Sequence, residues 1–127
     1  MIDKIAAEYP DSTDGERSEI FRRRHHSDTP ELTPNLKAAY AHAGTVWRGT
    51  SAIDGWEVES ALPPVKDLPC LVTRGENDFV TDDLIEDWNK VFTKTEKYVY
   101  PGCGHHALNE KPDEYVQNLE KWLARWD

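Results

Sequence analysis

Residues 68–112 read LPCLVTRGENDFVTDDLIEDWNKVFTKTEKYVYPGCGHHALNEKP, and no other stretch constrains the fold of this chain as tightly. An apolar run, an acidic turn, an amphipathic segment, a second apolar run and a histidine loop follow one another. That order predicts a βαβ unit, with strands over about 70–74 and 97–100 and a helix over about 82–92. Strands joined by a crossover of this length run parallel. In parallel sheets ligands collect beyond the carboxyl ends of the strands. Asp78, just past the first strand, and His105, just past the second, are therefore expected on one rim of the sheet. An acid that holds an imidazole in one tautomer and stabilises its charged form is the supporting half of a nucleophile, histidine and acid triad.

The rest of the chain is organised around this unit. DGERSEIFRRRHH, between the breaker Pro10 and SDTP, predicts a helix over about 14–26 with Ile20, Phe21 and Arg24 on one face. TPNLKAAYAHAG predicts a second, with threonine as cap, proline in the first turn and Gly44 as the stop. Residues 49–67 hold a Pro-Pro pair and no clean period, which predicts an irregular connection anchored by Trp56. Leu84, Ile85, Trp88, Val91 and Phe92 form a stripe expected to be buried. In a last helix over about 112–125, Tyr115, Val116, Leu119, Trp122, Leu123 and Trp126 share a face. This divides the chain into a helical cap over 1–60 and an α/β core segment over 61–127.

Charge narrows the partners. With 24 acidic and 15 basic residues and a net charge of -9, the surface repels phosphate backbones, so nucleic acid is not an expected partner. No run approaches the roughly 20 apolar residues that span a bilayer, and the amino terminus lacks a secretion pattern, so no membrane association is expected. The two cysteines stand too far apart along neighbouring strands for a disulfide, and free thiols fit a cytoplasmic protein. A mean hydropathy of -0.76 alongside five tryptophans pairs aromatics that need burial with a chain that supplies little core. Part of that core is expected to come from elsewhere.

LPCLVTRGENDFV and PGCGHHALNEKPDEY together resemble the α/β-hydrolases, and within them the proline iminopeptidase-like branch. The first block resembles the strand and turn that present the family's triad aspartate, which maps to Asp78. The second resembles the histidine loop G-x-G-H-x-x-x-x-E-x-P, which maps the catalytic histidine to His105 rather than His106. FRRRH and the Trp56 segment are weaker echoes of the family's cap and of its return to the core. The resemblance implies a partial α/β-hydrolase fold, short cap helices followed by a βαβα unit with two parallel strands. It also implies hydrolysis of a peptide, amide or ester without any cofactor.

The departures are as specific. The family's serine sits on G-x-S-x-G at a strand-to-helix elbow, and no such pattern occurs among the 127 residues. GTSAI, around Ser51, lacks the second glycine and a preceding apolar strand. The family's amine-binding acids are also replaced: Phe79 follows Asp78, and the matching cap region reads GTVWRG. The chain thus resembles the carboxy-terminal portion of such a hydrolase, inert alone and completed by a partner that supplies strands and serine. The competing reading is a non-catalytic module that binds a protein by strand addition.

Other residues invite sharper readings than their context supports. The pairs His25–His26 and His105–His106 lack the spacing of a metal site. Cys103, two residues before His105, has no visible oxyanion donors beside it and reads as structural. Arg22, Arg23 and Arg24 read as a solvated helix face. Glu110 fits the family's loop pattern and also suits the first turn of a helix.

Overall fold

Two helices open the chain, the second of them well capped by its own sequence. The computed structural model describes residues 1–27, 29, 31–43, 65–86 and 88–126. Helix α1 (Ile2–Glu8), absent from the sequence expectation, buries Ile5. Arg24 ties it to the next helix with two 2.8 Å hydrogen bonds to the Glu8 carboxylate. These bonds hold the Glu8 carboxyl down at about 2. Helix α2 (Asp14–Phe21) starts from a full capping box, in which Thr13 and Glu16 satisfy each other's backbone N–H.

The single helix expected over 14–26 changes character at Arg22. Residues Arg22–His26 form a π-helical turn, closed by the Ser27 N–H on the Arg22 carbonyl at 3.0 Å. One extra residue in the ring turns the last carbonyls of the helix sideways, towards the histidine loop. Helix α3 (Pro34–Ala43) matches its expectation, with the Thr33 hydroxyl accepting from Leu36 N–H and proline in the first turn. Trp56, Ser51, the Pro-Pro pair and the boundary between 60 and 61 lie outside the described residues.

Strands β1 (Val65–Gly75) and β2 (Phe92–Tyr100) pair in parallel, from Val65 with Phe92 to Gly75 with Tyr100. Both are longer than their apolar cores suggested. The register slips between Val65 and Pro69, where proline has no N–H to offer a ladder. The helix expected over 82–92 is replaced by two single turns, α4 (Asp82–Ile85) and α5 (Trp88–Val91). Phe92 already belongs to β2, because the β-branched and aromatic residues in FTKTEKYVY favour an extended chain. The expected buried stripe is corrected accordingly: Ile85 is buried, while Leu84 is 60% and Trp88 48% exposed. Turns this short have no continuous face to bury.

Helices α6 (Ala107–Glu110) and α7 (Pro112–Leu123) follow. A small core gathers under the histidine loop, where buried Tyr100, Cys103 and Ala107 meet Tyr98 and Tyr115. Tyr100 and Tyr115 stack with centroids 5.2 Å apart. The apolar face expected of α7 is divided. Tyr115 and Trp122 are half-buried, whereas Val116, Leu119, Leu123 and Trp126, at steps of three, seven and ten, are exposed. Among the described residues the sheet holds two strands, each with a single partner. This is a partial α/β fold. No helix among the described residues is long and apolar enough to cross a membrane.

Candidate active site

The two strand ends deliver their polar groups to one place. His105 Nδ1 lies 3.0 Å from Oδ1 and 3.1 Å from Oδ2 of Asp78. The acid is buried, its side chain 4% exposed, while that of His105 is 39% exposed. Asp78 Oδ1 also accepts the Val80 N–H at 2.9 Å, an Asx turn that fixes the carboxylate from its own backbone. An Nδ1–H donating to Asp78 leaves Nε2 unprotonated, the state a general base needs. His106 beside it is half-buried, and burial, then His105, lowers its imidazolium while Asp78 opposes this.

Backbone contacts hold the two turns together, and among the residues that make them Gly75, Glu76 and Asn77 were not singled out by sequence. A Cβ built on Gly75 would fall 2.1 Å from the Gly104 carbonyl oxygen, so only glycine lets the acid turn and the histidine loop come this close. Glu76 N–H donates to the Tyr100 carbonyl and Asn77 N–H to that of Cys103, at 3.0 and 2.8 Å. The Glu76 carboxylate accepts from Gly102 N–H at 2.8 Å, and that of Glu110 from Gly104 N–H at 3.0 Å. Glu110 is thus a support of the loop rather than only a helix-end acid. Gly102 takes a φ of 72°, a left-handed conformation that turns the loop sharply.

Rings from the amino-terminal helices and the acid turn pack in a layer beside His105. Phe79 packs on His105 with centroids 4.5 Å apart, and His26 stands 5.1 Å from Phe79 and 5.8 Å from His105. Phe21 closes the layer 5.7 Å from Phe79. Burial pushes the His26 imidazolium down to about 4, helped by neighbouring His105, His106 and His25 and opposed by Asp78. The unfolded chain protonates this group near its ordinary 6.5 and the folded chain near 4. Between those values the unfolded state binds more protons, so stability is expected to fall as pH drops through that window and to level off below it. His26→Phe, which keeps a ring in the layer, is expected to remove this share of the acid sensitivity. Urea midpoints at about pH 7 and about pH 5 check this; an unchanged difference between them would contradict it.

The other candidates resolve differently. Cys103 is buried in the tyrosine core, and burial, then Glu110, raises its thiol, so it stays protonated and packs as a small apolar group. Cys70 and Cys103 are both free. No cluster of three or more potential ligands among the described residues is placed to hold a metal ion. Arg22 and Arg23 pair with Glu19.

Comparison with known proteins bears on this arrangement. No protein-family model matches the chain. A proline iminopeptidase of Lactobacillus helveticus is 27% identical over 120 residues, covering 87% of this chain and 40% of its own length. One from Lactobacillus crispatus is 32% identical over 72 residues, covering 57% and 24%. Among solved structures, VinJ superposes with a TM-score of 0.78 at 14% identity, over 98% of this chain and 48% of its own. The Mycobacterium smegmatis proline iminopeptidase does so at 0.66 and 19%, over 96% and 44%. The chain is similar in sequence to part of the proline iminopeptidases and shares the fold of part of these solved structures. It spans about two fifths of the length of the L. helveticus relative.

The rim of the sheet is built from an acid turn, a histidine loop and the π-helical turn that ends the second helix. The ring of Phe79 occupies the position next to Asp78, packed on His105 and the cap rings.

Proposed function

We propose that Asp78 and His105 are the acid and histidine of a serine-hydrolase triad whose nucleophile and oxyanion hole come from outside this chain. The contact of Asp78 with His105 Nδ1 carries the reading. In it Asp78 orients the imidazole, Nε2 takes the proton of an attacking serine hydroxyl, and the same nitrogen returns it to the leaving amine or alcohol. The scissile bond is a peptide, amide or ester bond. Removing a triad nucleophile leaves only residual catalysis, so the chain alone is expected to be close to inert.

The partner is the remainder of an α/β-hydrolase core. Three observations support it: each strand has a single neighbour among the described residues, Leu68 on β1 is exposed, and α7 presents an apolar stripe to solvent. Parallel strands are ordinarily covered on both faces and paired on both sides. VinJ, whose matched half accounts for nearly all of this chain, continues beyond it. Two free thiols fit a reducing, cytoplasmic setting.

The test is complementation. The part of the L. helveticus proline iminopeptidase outside the match is expressed separately, mixed with this chain and assayed on prolyl arylamides and simple aryl esters. Turnover that appears only in the mixture supports the reading. A stable complex without turnover on either class would favour the non-catalytic module instead.

A further inference from the structure

The histidine loop is gripped from a side that the acid does not reach. The π-helical turn Arg22–His26 ends with its carbonyls against this loop: His105 N–H donates to the His25 carbonyl at 2.8 Å and His106 N–H to the His26 carbonyl at 3.1 Å. His25 Nδ1 also lies 3.0 Å from the Asn77 carbonyl, so the same turn touches the acid loop. The approach is backbone on backbone. A Cβ on Gly104 would fall 2.7 Å from the His26 carbonyl carbon and 2.8 Å from the His25 and His26 oxygens. Phe21 seats the turn through its contacts with the rings of His25, His26 and Phe79.

We propose that the π-helical turn Arg22–His26 is a positioning device for His105, its last two carbonyls holding the histidine loop so that the imidazole stays on Asp78. An ordinary α-helical turn directs its carbonyls along the axis into its own hydrogen bonds. At a helix end the last carbonyls have no donor within the helix, and the widened ring of a π turn changes where they point; such turns recur at functional sites. Here two of them take the donors of His105 and its neighbour. The rings of Phe79 and His26 meanwhile stand 4.5 and 5.8 Å from that of His105, so the loop is held at the main chain and the ring is packed against its neighbours. The catalytic meaning of this brace rests on the triad reading above; the brace itself is a matter of geometry.

The experiment needs no nucleophile. In proton NMR of the full, isotope-labelled chain, an Nδ1–H bonded to a carboxylate gives a far-downfield resonance that can be assigned to His105. Amide exchange reports the two N–H groups the turn holds. Two variants loosen the brace from opposite sides: Gly104→Ala from the loop and Phe21→Ala from the cap. In both, the His105 and His106 amides are expected to lose protection by about tenfold or more, and the downfield resonance to vanish, while strand amides such as Val72 and Tyr98 stay protected. Gly15→Ala, whose Cβ would meet only the Thr13 hydroxyl at 3.9 Å, is expected to change neither. If Gly104→Ala disturbs the strands as well, Phe21→Ala decides. A resonance that survives while both amides are released would overturn the proposal, because Asp78 alone would then hold the ring. A resonance missing from the unaltered chain would instead strike at the pairing of Asp78 with His105.

Discussion

Replacing His105 by alanine in the reconstituted hydrolase is expected to lower kcat by about 10⁴-fold or more while leaving KM nearly unchanged. The imidazole rests on Asp78, and a serine hydroxyl without a base is a poor nucleophile. Asp78→Asn makes the complementary case, with an expected loss of roughly 10³–10⁴-fold. An amide NH₂ facing Nδ1 donates where the carboxylate accepted, so the imidazole is turned to the tautomer that carries its proton on Nε2 and cannot act as base. Since Asp78 is buried and also accepts from Val80 N–H, the near-isosteric asparagine keeps the turn, and the loss should appear in kcat. Steady-state kinetics on an ester and an arylamide check both variants. Activities within a few-fold of the parent would remove these residues from the mechanism.

Gly75→Ala is the change expected to cost the most stability for the fewest atoms. The added methyl would lie 2.1 Å from the Gly104 carbonyl oxygen and 2.3 Å from that of Cys103. Both obstacles are main chain, so no rotamer relieves the clash; the acid turn and the histidine loop must move apart. Overpacking of this kind costs about 3 kcal/mol, which a urea midpoint reads as a fall of roughly 1–2 M. The separation also breaks the bond from Asn77 N–H to the Cys103 carbonyl and draws Asp78 away from His105. Gly102→Ala supplies the contrast. Its methyl would meet nothing within 4 Å, and only the φ of 72° opposes it, at a cost of about 1 kcal/mol. A larger loss at Gly102 than at Gly75 would show that loop conformation, not close approach, holds the rim together.

The order of the βαβ unit, the parallel pairing and the placement of Asp78 beside His105 were legible because each rests on short-range pattern. An apolar run closed by a turn acid and another closed by Gly-Cys-Gly-His leave one parallel arrangement. The lengths were not legible. Phe92 and Thr93 fit a helical stripe as well as a strand, and only pairing with β1 decides between them. Helix α1 escaped notice because IDKIAAE is only seven residues long and has no side-chain cap, and the Arg24 that pairs with its Glu8 lies sixteen residues further on. The π turn was hidden for a similar reason. RRRHH has the composition of a solvated helix end, and what distinguishes it is a pair of carbonyls facing a loop some eighty residues later. Gly75 carried a trace of its role, a glycine directly between strand and acid, but its reason is a backbone contact no local pattern encodes.

The central claim, that this chain lends a working acid and histidine to a serine it does not contain, is tested most directly by covalent labelling. A fluorophosphonate, which reacts with activated serines, is added to the non-matching part of the L. helveticus proline iminopeptidase, with or without this chain, and the labelled peptide is identified by mass spectrometry. The account predicts label on the elbow serine of that part only when this chain is present, and its loss with His105→Ala. Labelling that proceeds equally without the chain, or that ignores His105→Ala, would contradict it.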